Sequence, residues 1–462
     1  MTRRFLTTLV AAGTLTMLSA VATAAAATAA PTIRIYPGVI HADGHYSQPP
    51  TTADCEADFS VACYEPGQIE QAYGLPTLFS SGVDGKGETI VIVDSYGSPT
   101  IASDLATFDS TFGLPAPPSF EILQPAGPVP PYDPTNGTEV GWAFETSLDV
   151  EYAHTIAPRA NIVLLETPVA ETEGATGFPQ IVEAEEYAIN HGLGQVITQS
   201  FGATEQTFTT AQSLLQLRGA YIDAYLHRVT VLASSGDTGA ANYETDGSDL
   251  YTFPTVGWPA SDPLVTAVGG TQLSLDANGN HTAPDSVWND TYNVAANQFI
   301  FGDSGPNPLA GSGGLSAIFN RPWYQSGVQS VVGSQRGIPD ISMSAACNGA
   351  VDVYLSIGGI PAGWYPVCGT SEASPEFAGI VALADQVAHH SLGLINPALY
   401  RLSAGYAPGI VDVTSGNNTV TFTQEGQTYT VTGYDAGTGY DLASGVGTVY
   451  APDFVPELAK AG

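Results

Sequence analysis

The segment Gly369-Thr370-Ser371-Glu372-Ala373-Ser374-Pro375 sets a serine where a glycine turn gives way to an apolar helical run over 377–387. A serine at a helix N-terminus sits beside unsatisfied backbone N–H groups, which favour developing negative charge. A hydroxyl nucleophile for acyl transfer gains from that position, provided a base is within reach. Pro375 stands four residues after Ser371, so its missing N–H removes only a first-turn hydrogen bond. Glycine-flanked serines are common, and the base must be found elsewhere in the chain.

Two acids supply it. Residues 138–154 read as a helix in which Val140, Phe144 and Leu148 form an apolar stripe at four-residue spacing. Glu145 and Asp149, also four apart, share the adjoining face with Trp142. If exposed, the two like charges weaken the helix by roughly 0.2–0.5 kcal/mol, and no lysine or arginine in the segment offsets them. If buried, they share a proton and titrate as a unit. A Glu raised in this way can take a proton from a serine hydroxyl and return it to a leaving amine. A solvated acidic helix face is the other reading of the same spacing. A third acid, Asp237 in Ser234-Ser235-Gly236-Asp237-Thr238-Gly239, follows a predicted buried strand. Strand C-termini of parallel sheets are where ligands and catalytic groups collect. A protonated Asp there can donate to an oxyanion, but only below or near its pKa. Ser-Gly-Asp is also an ordinary turn sequence.

The elements that must position these groups have a clear period. Residues 89–94 form a short β-branched run ending in a turn, as a buried parallel strand does, and 161–165, 195–198 and 229–233 repeat it. Helical stretches at 181–190 and 211–226 fall between them. The expectation is an α/β fold, a parallel sheet flanked by helices with right-handed crossovers. Residues 31–66 are rich in Pro, Thr, Ala and Gly and lack periodicity, so they read as a short extended N-terminal arm. Residues 67–462 then form one large domain with long loops.

Residues 1–30 read as a secretory signal: a basic start at Arg3 and Arg4, an alanine-diluted apolar run, and small residues from Ala22 to Ala30. The expected product is an exported, soluble protein. The formal charge is −34, from 11 basic and 45 acidic residues; losing the signal removes two arginines and no acid, giving −36. Such a chain repels nucleic acid and anionic membranes. Its acidity fits a low-pH environment, and equally fits high salt or simple solubility. Four cysteines in an exported chain suggest disulfides. Nearness in sequence favours Cys55–Cys63 and Cys347–Cys368, with the other pairings open. No Cys/His cluster has zinc spacing.

Taken together, these segments resemble the sedolisin, or serine-carboxyl peptidase, family. The resemblance runs from about Pro66 to Val455. It rests on Glu145-x-x-x-Asp149, Ser235-Gly236-Asp237 and Gly369-Thr370-Ser371-x-x-x-Pro375, with supporting stretches at 258–263, 268–271, 313–316, 319–325 and 336–340. It implies a subtilisin-like fold and acid-active endopeptidase chemistry on protein or peptide substrates, with no nucleic-acid or membrane partner and a monomer expected. Ser371 would be the nucleophile and Glu145 the general base and acid. Asp149 would tune Glu145, and Asp237 would donate to the oxyanion. The resemblance also implies one structural Ca2+ near the C-terminus, with Asp412, Val413, Gly437, Gly439 and Asp441 as its ligands. Two carboxylates and glycine-loop carbonyls present hard oxygens suited to a hard cation. Two features depart from the family pattern. Only residues 31–66 separate the signal from the match, where the family has a long folded prodomain. Cys368 also stands where a small residue is usual, tying the nucleophile loop to Cys347 if that bridge forms.

Other readings make different demands. A subtilisin-type Ser-His-Asp peptidase would use Asp94 and a histidine, but no His-Gly-Thr stretch follows Asp94, and His154 reads as a helix-end residue. An inactive binding module on the same scaffold would lack one of the four catalytic groups, and none is missing. Paired acids also suit glycosidases, yet i,i+4 spacing sets Glu145 and Asp149 side by side, not across a scissile bond.

Overall fold

The structure is a computed structural model that describes residues 40–41 and 45–462. The residues read as a signal lie outside the described ones.

The first helix among the described residues is α1 (Thr52–Phe59), capped by Thr51 and Asp54 in a reciprocal box. The main sheet follows, built from β1 (Thr89–Ser95), β2 (Phe120–Leu123), β3 (Asn161–Thr167), β4 (Val196–Gln199), β5 (Thr230–Ser234), β6 (Thr266–Gln272), β7 (Ser286–Val287) and β8 (Ile341–Ser344). Its order is β7-β6-β5-β4-β1-β3-β2, with β8 also paired to β6. All pairings are parallel except β6–β7. Alternate side chains serve opposite faces. Ile90 and Ile92 of β1 enter one core with Phe144 and Leu148, and Val91 and Val93 enter another with Ile181 and Tyr221.

Helices cover both faces: α2 (Ile101–Phe112), α3 (Gly137–Ile156), α4 (Phe178–His191), α5 (Gly219–His227), α6 (Thr370–Ala388) and α7 (Ala451–Ala461) among them. The parallel α/β architecture expected from the strand runs is what forms, and all four strand segments read from sequence are present. The stretch read as one helix over 211–226 is instead two, Ala211–Leu215 and α5. The break falls where Arg218 turns to grip Asp262 through Nε (2.5 Å) and Nη2 (2.9 Å), just before Gly219.

Residues 31–66 are more than an extended arm. They contain α1, strand Ile40–His41 and strand Cys63–Tyr64, and both strands join a second sheet with Ala350–Leu355 and Gly363–Cys368. The Cys55–Cys63 disulfide closes this unit. A capping box and a disulfide hold it, and neither produces a hydrophobic period.

The two helices that matter most pack directly together. Residues 142–156 of α3 and 370–385 of α6 are all buried. Gly379 permits the close approach, because a Cβ there would come within 2.5 Å of Ile156 Cβ. The strand Gly363–Cys368 delivers the chain to the head of α6, and Cys368 is bonded to Cys347.

Candidate active site

Four sequence-predicted groups converge where α3 meets the head of α6 and the C-terminal edge of the sheet. Ser371 is the second residue of α6, after Gly369 as N-cap, and is fully buried. The helix begins at Thr370, well before the apolar run that announced it. Glu145 and Asp149 are fully buried on α3, which excludes the solvated-face reading.

Neither Glu145 oxygen has a full hydrogen-bond partner, and neither does Ser371 Oγ. The Ser371 hydroxyl nevertheless lies near enough to favour the Glu145 anion. Such loose contacts between nucleophile and base are usual before substrate binds. Burial pushes Glu145 well above the usual carboxyl range, and the charges of Asp149, Asp94 and Asp237 push the same way. Asp149 is also raised, by burial and by Asp94, with the Ser200 hydroxyl opposing. The three carboxyls Glu145, Asp149 and Asp94 therefore cannot all ionise together.

Asp94 ends β1, fully buried, and is pushed up to about 8 by burial. In the sequence it served only the Ser-His-Asp alternative. Here it faces carboxyls: no histidine is among the groups acting on Asp94, Glu145 or Asp149. His154 is occupied elsewhere, its Nε2 meeting the Pro115 carbonyl (2.8 Å) and Asp109 Oδ1 (3.2 Å).

Asp237 follows β5 on a glycine turn, with Gly236 at φ 114°. Its Oδ1 accepts from the Thr370 amide (2.7 Å) and the Thr370 hydroxyl (2.8 Å). Its Oδ2 is buried without a partner, beside Gly369. Gly369 has φ 127°, and a Cβ there would come within 2.8 Å of that oxygen, so only glycine leaves this approach open. Burial raises Asp237 to about 7, against the Thr370 hydrogen bonds. Below that value it carries a proton that it can donate.

Ser200, which sequence reasoning missed, ties the site together. Its Oγ donates to Asp149 Oδ1 (2.8 Å) and lies 3.4 Å from the Ser371 carbonyl oxygen. That carbonyl is the one whose helical partner would have been the N–H of Pro375. The proline leaves that carbonyl without its usual helical donor, and the Ser200 hydroxyl, committed to Asp149, sits beside it. The available signal was its place just past a predicted strand end.

The C-terminal loop brings the other predicted set together. Asp412 Oδ2 accepts from the Gly439 amide and Asp441 Oδ2 from the Gly437 amide, both at 2.9 Å. Two carboxylates thus grasp one glycine loop, with Val413 buried beside them. Among the described residues no group of three or more His, Cys, Asp or Glu is arranged for a metal. A cation here would rely on two carboxylates and backbone carbonyls, a hard-oxygen set that suits calcium and not zinc.

No family model matches the chain. Kumamolisin of Bacillus sp. (strain MN-32) is 30% identical over 392 residues, covering 83% of this chain and 62% of kumamolisin. Sedolisin of Pseudomonas sp. (strain 101) is 27% identical over 377 residues, covering 81% of this chain and 59% of sedolisin. A solved structure of Pseudomonas sedolisin, a serine-carboxyl proteinase complexed with two molecules of pseudo-iodotyrostatin, superposes with a TM-score of 0.69 at 25% identity. That match covers 87% of this chain and 99% of the solved one. The chain spans about 60% of the length of the curated relatives it matches.

Proposed function

Because the chain belongs to the sedolisin family and has its subtilisin-like fold, we propose that it is an exported serine peptidase cleaving proteins at acid pH through an acyl-enzyme on Ser371. The supporting observation is that Ser371 lies against Glu145, while the unpartnered Oδ2 of Asp237 stands beside Gly369, two residues before the serine.

In this reading Glu145 in its ionised form, present when the Glu145–Asp149 pair has lost one proton, takes the hydroxyl proton as Ser371 attacks the substrate carbonyl. Asp149 steadies the proton that arrives, and Ser200 fixes Asp149 from its far side. The oxyanion forms beside Asp237 Oδ2, whose proton it receives as a hydrogen bond. Glu145 then returns its proton to the leaving amine, and the same groups run the steps in reverse order with water. The requirement for acid follows from Asp237, which is a donor below about 7 and a bare anion above it.

Calcium belongs to the same proposal. Asp412 and Asp441, with the carbonyls of Val413, Gly437 and Gly439, would hold it and pin the C-terminal loop. Export rests on residues 1–30 and is compatible with the two disulfides. Among the described residues no helix is long and apolar enough to cross a membrane.

The test is hydrolysis of an unfolded protein such as casein between about pH 2 and pH 8, for the parent and Ser371→Ala. Activity confined to acid pH and absent from the variant is expected. Digestion only near neutrality would overturn the carboxylate mechanism.

A further inference from the structure

α6 carries a second acid pair that the proposed chemistry does not use. Glu372 directly follows Ser371, and Glu376 lies one turn on, the same four-residue spacing as Glu145 and Asp149. Both side chains are fully buried, and none of their four carboxyl oxygens has a full hydrogen-bond partner.

We propose that Glu372 and Glu376 are positioning residues, a pair that holds the first turns of α6, and with them Ser371, in place only while it keeps its protons. The proposal rests on the peptidase reading for its effect on activity, but not for its effect on stability.

The surroundings explain the dependence. From β8, the Ser344 hydroxyl approaches Glu372. From α3 comes the phenol of Tyr152, and from the N-terminal elements come Tyr73 and Tyr64. Two of those phenols direct their O–H groups to backbone carbonyls, and the third is held as an acceptor. Tyr152 donates to the Asp352 carbonyl (3.0 Å), Tyr64 donates to the Leu273 carbonyl (3.3 Å), and Tyr73 Oη accepts from the Ser344 amide (2.7 Å). α7 contributes Phe454 against Phe377. No lysine, arginine or histidine acts on either carboxyl. An ionised pair would thus face another carboxylate and at most the neutral O–H groups of Ser344 and Tyr73, with no cation to offset the loss of water.

Burial accordingly raises both carboxyls well above their usual range, and Glu372 raises Glu376 further. In the unfolded chain both ionise near the ordinary glutamate value of about 4.3. Folding therefore takes up protons between that value and the folded ones, and the pair's support is lost as pH rises through this window. The loss falls on the turn where Thr370 grips Asp237 and Ser371 meets Glu145.

The experiment compares the full-length parent with Glu376→Gln and the double variant Glu372→Gln/Glu376→Gln, since glutamine keeps the size but cannot ionise. Unfolding midpoints are measured from about pH 3.5 to pH 8. Separately, samples are held at pH 8 and assayed after return to pH 4, so that the protonation of Asp237 during assay is the same for all. We expect similar midpoints at the acid end, a shallower fall with pH in the double variant, and inactivation at pH 8 slowed about tenfold, one proton's worth of linkage. The single variant should lie between. Parallel midpoint curves, or equal inactivation at pH 8, would overturn the proposal. So would activity lost at pH 4 without a change in midpoint, because the pair would then act in the chemistry itself. Should the double variant fail to fold, an unchanged slope in Glu376→Gln overturns it equally. A parent that cleaves nothing at acid pH defeats the peptidase reading, and the midpoints still judge the pair.

Discussion

The helices α3 and α6 each carry two buried acids four residues apart, and they differ in what surrounds those acids. Glu145 and Asp149 meet hydroxyls that can exchange protons with them, Ser371 and Ser200, and a third carboxyl in Asp94. Glu372 and Glu376 meet one serine hydroxyl and phenols held by backbone groups, and neither a nucleophile nor a third carboxyl. The same sequence spacing gives an open pair in one place and a sealed pair in the other. Spacing alone says that two acids will compete for protons. The neighbours decide whether that competition can drive chemistry or only set the pH range of the fold.

The comparison is broken most directly at its catalytic end. Ser371→Ala should lower kcat by about 10^6 and Glu145→Gln by about 10^4 or more, figures of the size seen when a nucleophile or its base is removed. Circular dichroism should show both variants folded at pH 4, where Glu372→Gln/Glu376→Gln remains active. If the sealed pair's variant lost as much acid-pH activity as Glu145→Gln, the distinction between the pairs would be gone.

Asp237 sharpens the pH side. Its folded value is raised to about 7, so its donor proton is present below that pH and lost above it. Asp237→Asn offers an amide donor that does not titrate. At pH 4 its cost in kcat should stay below the roughly 10^2–10^3 that losing an oxyanion donor outright brings. Its remaining activity should no longer decline through pH 7 for this reason. A kcat/KM profile measures both effects, and a parent profile flat through pH 7 would remove Asp237 from the oxyanion role.

Much of the site was legible because it is written in short local patterns. Ser371 after its glycine turn, the i,i+4 acids and Asp237 after a β-branched run all announce position through near neighbours. Burial was not legible. Glu145 could be called solvated or sealed from sequence, and the packing of α6 against α3 through Gly379 decides it. Ser200 was hidden for a related reason, and Asp94 was noticed only for a Ser-His-Asp arrangement, since the neighbours that matter to both are distant in the chain. The sealed pair is the sharpest case. Nothing in the sequence marks Glu372 and Glu376 as a pair apart, and only the fold shows both fully buried with no cation acting on them. The N-terminal arm failed differently, because capping and a disulfide build structure without periodic apolar residues.

The C-terminal loop lies away from both pairs and gives a smaller effect of another kind. With calcium at about a hundred times its Kd, Asp412→Ala should lower the thermal midpoint by about 3–5 °C. Chelation of the parent should produce the same shift, and chelation of the variant none. Activity at low temperature should survive. A parent midpoint indifferent to chelation would exclude the metal while leaving both acid pairs untouched.

The finest test is Ser200, the residue that keeps the first pair open. Ser200→Ala leaves Asp149 Oδ1 without its hydroxyl donor. An unmatched buried acceptor costs about 1–3 kcal/mol, here shared between the fold and the geometry of attack, so kcat should fall about tenfold with KM little changed. The pH profile adds a signature that a merely structural role would not give. The Ser200 hydroxyl favours ionised Asp149. Without it, the Glu145–Asp149 pair gives up its first proton only at higher pH, and the acid limb of kcat/KM should move upward. If the limb stays where it is while the midpoint drops, Ser200 is only a brace for α6, and the open pair owes its reactivity to Ser371 and Asp94 alone.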